Sequence, residues 1–124
     1  MSTILHEDRR RTAHYIISEA NGYRSRDVGL VASGSGKLIA GTVMARQSTT
    51  GKFVPYDPAG EDGSEAAAAV LYEGCDATSG DVRRTFTARD TEVQAEALIW
   101  PDTATDEQKN TALATLAGVG IVAR

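Results

Sequence analysis

The chain has 124 residues, of which 41% are hydrophobic and 24% are charged, and its formal net charge is −4 at pH 7. This length suits one domain that buries its own core. The mild negative charge argues against a dedicated nucleic-acid-binding protein, which needs a basic face to release counterions. No stretch reaches the roughly 20 apolar residues of a membrane-spanning helix. The charged N-terminus also lacks the apolar region of a secretory signal.

The chain begins with a polar stretch, residues 1–13, that carries Arg9-Arg10-Arg11. Such a stretch has too little apolar surface to anchor itself on a core, so we expect it to be disordered. The arginines are interpreted as a solvated run, or as charges that help docking. The first apolar cluster, Tyr15-Ile16-Ile17, is ambiguous. It fits a helix that stops at Gly22, and it equally fits a strand that precedes an Asn21-Gly22 turn.

A series of short apolar runs then predicts strands separated by turns. These runs are residues 26–32, 38–45, 53–56, 65–72, 82–89 and 92–100. Gly41 inside the second run indicates a bulge or a close backbone approach, and Pro55 indicates that the third strand lies at a sheet edge. The fourth run contains four alanines, which alone would favour a helix. The flanking strands favour a strand there.

The C-terminal part predicts one capped helix. Thr105 can accept a hydrogen bond from the backbone of Gln108 while the Gln108 side chain reaches back, which is a capping box. An apolar face and a stop at Gly118 complete the helix, and residues 121–122 follow as a short strand. The face consists of Leu113, Leu116 and Ala117. The sequence therefore predicts a mainly β (α+β) fold, with a small β-barrel or sandwich-like knob, one short C-terminal helix and a flexible N-terminal arm.

Patterns for chemistry are weak throughout the sequence. Gly34-Ser35-Gly36-Lys37 lacks the earlier glycine and the following Ser or Thr of a phosphate-binding loop. The acidic turn 57–63 lacks the ligand spacing of an EF-hand. Cys75, in an expected loop, has no partner for a disulfide, which favours a cytosolic origin. The two histidines, His6 and His14, lie in the expected arm. We therefore expect no metal, no cofactor and no enzyme activity.

The order of the C-terminal segments resembles that of the head decoration proteins of lambdoid phages. An apolar strand leads into Trp100-Pro101-Asp102, and the helix begins with Asp106-Glu107-Gln108-Lys109. Upstream, residues 36–43 and 50–58 resemble the central strands and the connector of the longer, prophage-type members. The resemblance runs from about Tyr15 to the C-terminus, more loosely in the middle. It supports a strand at 65–72.

The resemblance implies a structural virion protein. Family members bind the major capsid protein on the outer surface of the expanded shell, as homotrimers at threefold and quasi-threefold positions, and they resist the pressure of packaged DNA. This chain would then be made in the host bacterial cytoplasm, with no direct nucleic-acid partner and no membrane. Residues 1–25 would form the flexible, capsid-binding arm, and residues 26–124 the compact domain.

We assign the strand that the arm adds to the coat protein to Tyr15, Ile16, Ile17, Ser18, Glu19 and Ala20. In an extended segment Tyr15 and Ile17 would face one way and Ile16 the other. Trp100 and Pro101 are assigned to the fold or to the trimer interface. Proline holds the residue before it extended, which places the only tryptophan at the end of a strand.

Three alternatives remain open at this stage. Residues 15–20 could dock on their own domain as a helix or a strand. The chain could be a small β-rich binding module that recognises a glycan or a host protein on a virion or cell surface. It could also be a hydrolase that uses Asp57, Glu61 or Asp62.

Overall fold

The computed structural model describes residues 11–124 of the chain, which form ten strands, one α-helix and one short 3-10 helix. The strands are β1 Ile16–Glu19, β2 Arg26–Val31, β3 Gly36–Leu38, β4 Val43–Arg46, β5 Phe53–Pro55, β6 Ala67–Leu71, β7 Cys75–Ala77, β8 Val82–Thr87, β9 Thr91–Val93 and β10 Ile121–Ala123. The helix α1 spans Asp106–Ala117, and the 3-10 helix spans Ala95–Ala97. The predicted mainly β fold with one helix near the C-terminus is confirmed.

Five strands close into a barrel in the order β2-β5-β4-β6-β8. One core cluster joins the barrel strands and β7, and consists of Val31, Met44, Phe53, Ala69, Leu71, Ala77 and Phe86. The rings of Phe53 and Phe86 stack with their centroids 4.0 Å apart. Gly29 of β2 makes this possible, because a Cβ built there would lie 2.6 Å from Cε2 of Phe53.

A three-stranded sheet in the order β1-β9-β10 packs with α1 against the barrel. The central strand β9 pairs antiparallel with β1 and parallel with β10. The second core cluster joins the sheet, the helix and the barrel, and consists of Tyr15, Val43, Tyr56, Ala67, Val70, Val93, Leu98, Ala112, Leu116 and Ile121. Strands β3 and β7 form a separate antiparallel pair.

The single strand expected at 38–45 is wrong, because the chain turns at Gly41. This glycine has φ of 95°, a left-handed conformation that favours glycine. The turn separates β3 from β4, so that β3 pairs with β7 and β4 joins the barrel. The expected close backbone approach is confirmed. A Cβ at Gly41 would lie 2.9 Å from the carbonyl oxygen of Ala97.

Other strand predictions succeed in part. The alanine-rich run forms strand β6, as expected, and not a helix. The run at 92–100 holds only β9, the 3-10 helix and an isolated bridge between Thr42 and Ile99.

The edge position expected for Pro55 is wrong, because β5 lies between β2 and β4. Pro55 is tolerated there because β5 meets β2 only at Phe53. Cys75 lies in β7 and not in a loop.

The capping box of α1 is confirmed. The backbone N–H of Gln108 donates to the Thr105 hydroxyl at 3.2 Å, and the N–H of Thr105 donates to Oε1 of Gln108 at 2.9 Å. The buried face differs from the expectation, because Leu116 is buried with Ala112 while Ala117 is exposed.

The helix ends at Ala117, next to Gly118 as expected, but Gly118 itself stays right-handed with φ of −63°. The left-handed residue is Gly120, with φ of 89°, immediately before β10. The chain therefore reverses at Gly120 into the strand that lies beside β9.

Candidate capsid-binding and subunit-contact surfaces

Strand β1 contains most of the segment that the sequence assigns to capsid binding. It pairs with β9 through Ile16 with Val93, Ser18 with Glu92, and Glu19 with Thr91. Since β1 ends the sheet order β1-β9-β10, it has a strand neighbour on one side only, among residues 11–124. Packing on the domain therefore begins before residue 25, where the sequence placed the boundary. The first ten residues of the expected arm lie outside the described residues.

Tyr15 anchors the N-terminal end of β1 in the second core cluster. Its side chain is fully buried, and its hydroxyl lies 2.6 Å from Oγ1 of Thr87 in β8. Burial raises the pKa of the Tyr15 phenol above its usual range, while the bond to Thr87 opposes this shift. Tyr15 is thus a buried residue that ties β1 to the barrel.

Glu19 anchors the C-terminal end of β1. The Ser25 hydroxyl donates to Oε2 of Glu19 at 2.7 Å, and the Arg26 guanidinium donates to both carboxylate oxygens. The carbon at the centre of that guanidinium lies 4.4 Å from the ring centroid of Tyr72 and 5.5 Å from that of Tyr23. The hydrogen bond from Arg26 holds the pKa of the Glu19 carboxyl below its usual range.

The middle of β1 turns outward. The pairing with β9 shifts between Ile16 and Ser18, so Ile17 occupies a β-bulge. Ile16 packs against the second core cluster, whereas the Ile17 side chain is 48% exposed. The expectation that Tyr15 and Ile17 share a face is therefore wrong, because the bulge breaks the two-residue alternation. Beyond the strand, the N–H of Ala20 donates to the Asp90 carbonyl at 3.0 Å.

The outer row beside Ile17 is polar. The Ser18 hydroxyl donates to one carboxylate oxygen of Glu92 at 3.3 Å, and Nε of Arg124 donates to the other at 3.0 Å. These residues come from β1, β9 and the residue after β10. Among residues 11–124, the β1 edge of the sheet thus presents the exposed Ile17 side chain next to a hydrogen-bonded polar row, and the opposite edge strand β10 carries Val122, which is 37% exposed.

Trp100 and Pro101 lie at a second apolar surface. Trp100 is half-buried, and its ring meets that of Tyr56 edge-on at a centroid distance of 5.9 Å. A mainly apolar depression of about 340 Å³ lies beside it. Its lining includes Ile39, Val43, Pro55, Ile99, Trp100 and Pro101. Trp100 therefore contributes both to the core, through Tyr56, and to the surface.

No sequence pattern singles out Arg26 and Thr87, the residues that bind the two ends of β1. Thr87 is separated from Tyr15 by 72 positions, and no local pattern links the two. Two apolar side chains of β2 are also exposed, Val28 at 57% and Leu30 at 41%, and were not among the predicted site residues. The alternation of residues 26–32 could have indicated that Val28 and Leu30 share one face of the strand.

Of the residues weighed for chemistry, Asp57 and Asp62 line one open depression, whereas His6 lies outside the described residues. Asp62 of the acidic turn accepts hydrogen bonds from the Ser64 backbone and hydroxyl, as expected for a structured turn. His14 lies beside the Arg11 carbonyl oxygen, with Nδ1 at 3.1 Å. Within residues 11–124, no group of three or more His, Cys, Asp or Glu side chains is placed to hold a metal ion. In the same range, no helix combines the length and apolarity that crossing a membrane requires.

Comparison with known proteins indicates the family of the chain. A search of curated proteins finds no match. A family profile described as bacteriophage lambda head decoration protein D matches residues 4–121, which is nearly the whole chain. The match agrees with the resemblance found in the order of the segments, and it makes the chain a structural component of a phage capsid. The protein belongs to the bacteriophage lambda head decoration protein D family.

Proposed function

We propose that this protein binds the outer surface of the shell as homotrimers at threefold and quasi-threefold positions, with the major capsid protein as its partner. Its N-terminal segment, residues 1–25, adds a strand to the coat protein, and Tyr15–Ala20 supplies that strand. The work is mechanical and involves no catalysis. A trimer that bridges several coat subunits holds them together, and three binding segments on one trimer act at high effective concentration.

The observation that carries the proposal is the open edge of β1 beside the bulged Ile17. Strand addition uses backbone hydrogen bonds for affinity and side-chain pockets for specificity. Among residues 11–124, β1 has a strand neighbour on one side only, which leaves backbone groups for pairing, and the 48% exposed Ile17 side chain offers a group for a pocket. For subunit contacts we propose the depression beside Trp100 and Pro101, where Ile99 is 37% exposed.

The test compares two adjacent isoleucines. Ile17→Asp should weaken binding to expanded shells that lack the protein by at least about tenfold, because a desolvated unpaired charge is costly. The domain should remain folded, since Ile17 lies outside the core. Ile16→Asp is the matched change, and it should lower the thermal stability, because Ile16 packs against the core.

Binding would be measured by co-sedimentation with the shells, and folding by circular dichroism. The mass in solution, from sedimentation equilibrium, checks the trimer. Wild-type binding by the Ile17→Asp protein would refute the role of this segment. A monomer at all concentrations would refute the trimer.

A further inference from the structure

We propose that the coat protein pairs with β1 while β1 remains docked on β9, and that Tyr15 and Glu19 are positioning residues that hold its open edge ready. This inference rests on the proposed function and specifies how the segment works. The partner is an extended coat segment that pairs backbone to backbone with β1 and covers Ile17. In the other possible mechanism, β1 leaves the domain before it binds.

The backbone pairing of β1 is too short to hold the strand alone. It consists of three paired positions interrupted by a bulge, with one flanking bond at each end, from the Gln94 N–H to the Tyr15 carbonyl at 2.8 Å and from the Ala20 N–H to the Asp90 carbonyl at 3.0 Å. Two-stranded pairing of this length is marginal in water without side-chain packing. The side chains at the two ends of β1, together with the packing of Ile16 on the core, therefore add to what keeps the strand in place.

The side-chain contacts at both ends of β1 run to the barrel and not to the sheet. Tyr15 reaches Thr87 of β8, and Glu19 reaches Ser25 and Arg26 at the start of β2. The Glu19 and Arg26 side chains are only 20% and 22% exposed, so their ion pair is shielded better than the other ion pairs between described residues. Arg26 also packs over the Tyr72 ring, so its guanidinium is held by Tyr72 as well as by Glu19.

Detachment of β1 would break both end contacts together. It would pull the fully buried Tyr15 out of the second core cluster and remove the partner of the buried Thr87 hydroxyl. A buried polar group without a partner is costly. In the docked state, by contrast, the open edge and Ile17 already face outward. A partner strand then avoids the entropy cost of ordering β1, which favours binding to the docked form.

The two mechanisms predict opposite effects when the end contacts are loosened. Glu19→Gln removes the ion pair and Tyr15→Phe removes only the hydroxyl, so each loosens one end. If the docked strand is the template, each variant should bind expanded shells roughly tenfold more weakly than wild type. If β1 must detach first, each variant should bind more tightly.

Amide hydrogen exchange supplies a second readout. Both variants should exchange faster at Ile16–Glu19 while protection in β6 and β8 is unchanged, which shows that only β1 is loosened. Arg26→Gln should weaken shell binding as Glu19→Gln does. The double variant, Glu19→Gln with Arg26→Gln, should weaken it little further, because the two residues share one interaction. Lys52→Gln, which breaks an ion pair with Asp81 that does not involve β1, is the matched control and should bind as wild type.

Faster exchange in β1 with unchanged or tighter shell binding would overturn this inference and leave the proposed function intact. Failure of Ile17→Asp to weaken binding would instead refute the proposed function. Unchanged exchange at Ile16–Glu19 in all three single variants would also overturn the inference, because the end contacts would then not hold the strand.

Discussion

At the scale of single residues, one bulge separates the buried Tyr15 from the exposed Ile17. An uninterrupted strand would place Ile16 and Ile17 on opposite faces, with Tyr15 and Ile17 together. The sequence supports that reading, since nothing in it marks a bulge. The bulge arises because Tyr15 is held in the core while Ser18 pairs with Glu92. Both constraints come from residues far along the chain.

Trp100 provides a test at the same scale. Trp100→Ala should lower the free energy of unfolding by less than the roughly 3–5 kcal/mol that removal of a fully buried tryptophan costs, because the ring is only half-buried. Chemical denaturation measures this. In the wild-type protein, the fluorescence of Trp100 should be partly quenched by aqueous quenchers in dilute solution. The quenching should decrease at concentrations where subunits associate. Equal quenching at all concentrations, with a trimer present, would place Trp100 outside the subunit interface.

At the scale of elements, local signals predicted structure well and long-range ones did not. The capping box of α1 was readable because Thr105 and Gln108 are three residues apart. The split at Gly41 was not, because it depends on the backbone near Ala97, to which Gly41 packs closely. The order of the segments indicated the family. The two anchors of β1 in the candidate site are Tyr15, which contacts Thr87, and Glu19, which contacts Arg26. The folded barrel brings Thr87 and Arg26 to β1.

The barrel wall gives a prediction at the element scale. Gly29→Ala should destabilise the protein by about 1–3 kcal/mol, because the new methyl group would meet the Phe53 ring in a packed core. Gly80→Ala is the matched control, since no atom lies within 4 Å of a Cβ built there. Urea denaturation of both variants would show the difference. A Gly29→Ala protein as stable as the control would mean that the Phe53–Phe86 stack can shift at little cost.

At the scale of the whole molecule, acid should weaken the fold. The hydrogen bond from Arg26 lowers the pKa of Glu19, and bonds from Ser64 and Thr78 lower the pKa values of Asp62 and Asp76. A carboxyl group whose pKa is lower in the folded state stabilises that state above its unfolded pKa. This contribution is lost as the pH falls through the folded pKa.

We therefore expect the free energy of unfolding to decrease once the pH falls below the ordinary pKa values of these carboxyl groups, 3.8 for aspartate and 4.5 for glutamate. Urea denaturation over a pH series measures this decrease. Glu19→Gln should show a smaller decrease than wild type, because glutamine does not titrate. An equally steep decrease in the variant would mean that Glu19 contributes nothing to the acid sensitivity.

The position of β9 at the centre of the sheet also has a consequence for protein synthesis. Ser18 and its cross-strand partner Glu92 are 74 positions apart. At the usual elongation rate of about 5–20 residues per second, β1 leaves the ribosome roughly 4–15 seconds before β9 does. During that interval Ile16 of β1 and the preceding Tyr15 have no sheet to join. The nascent chain therefore exposes the strand proposed to bind the capsid before the sheet that positions it exists.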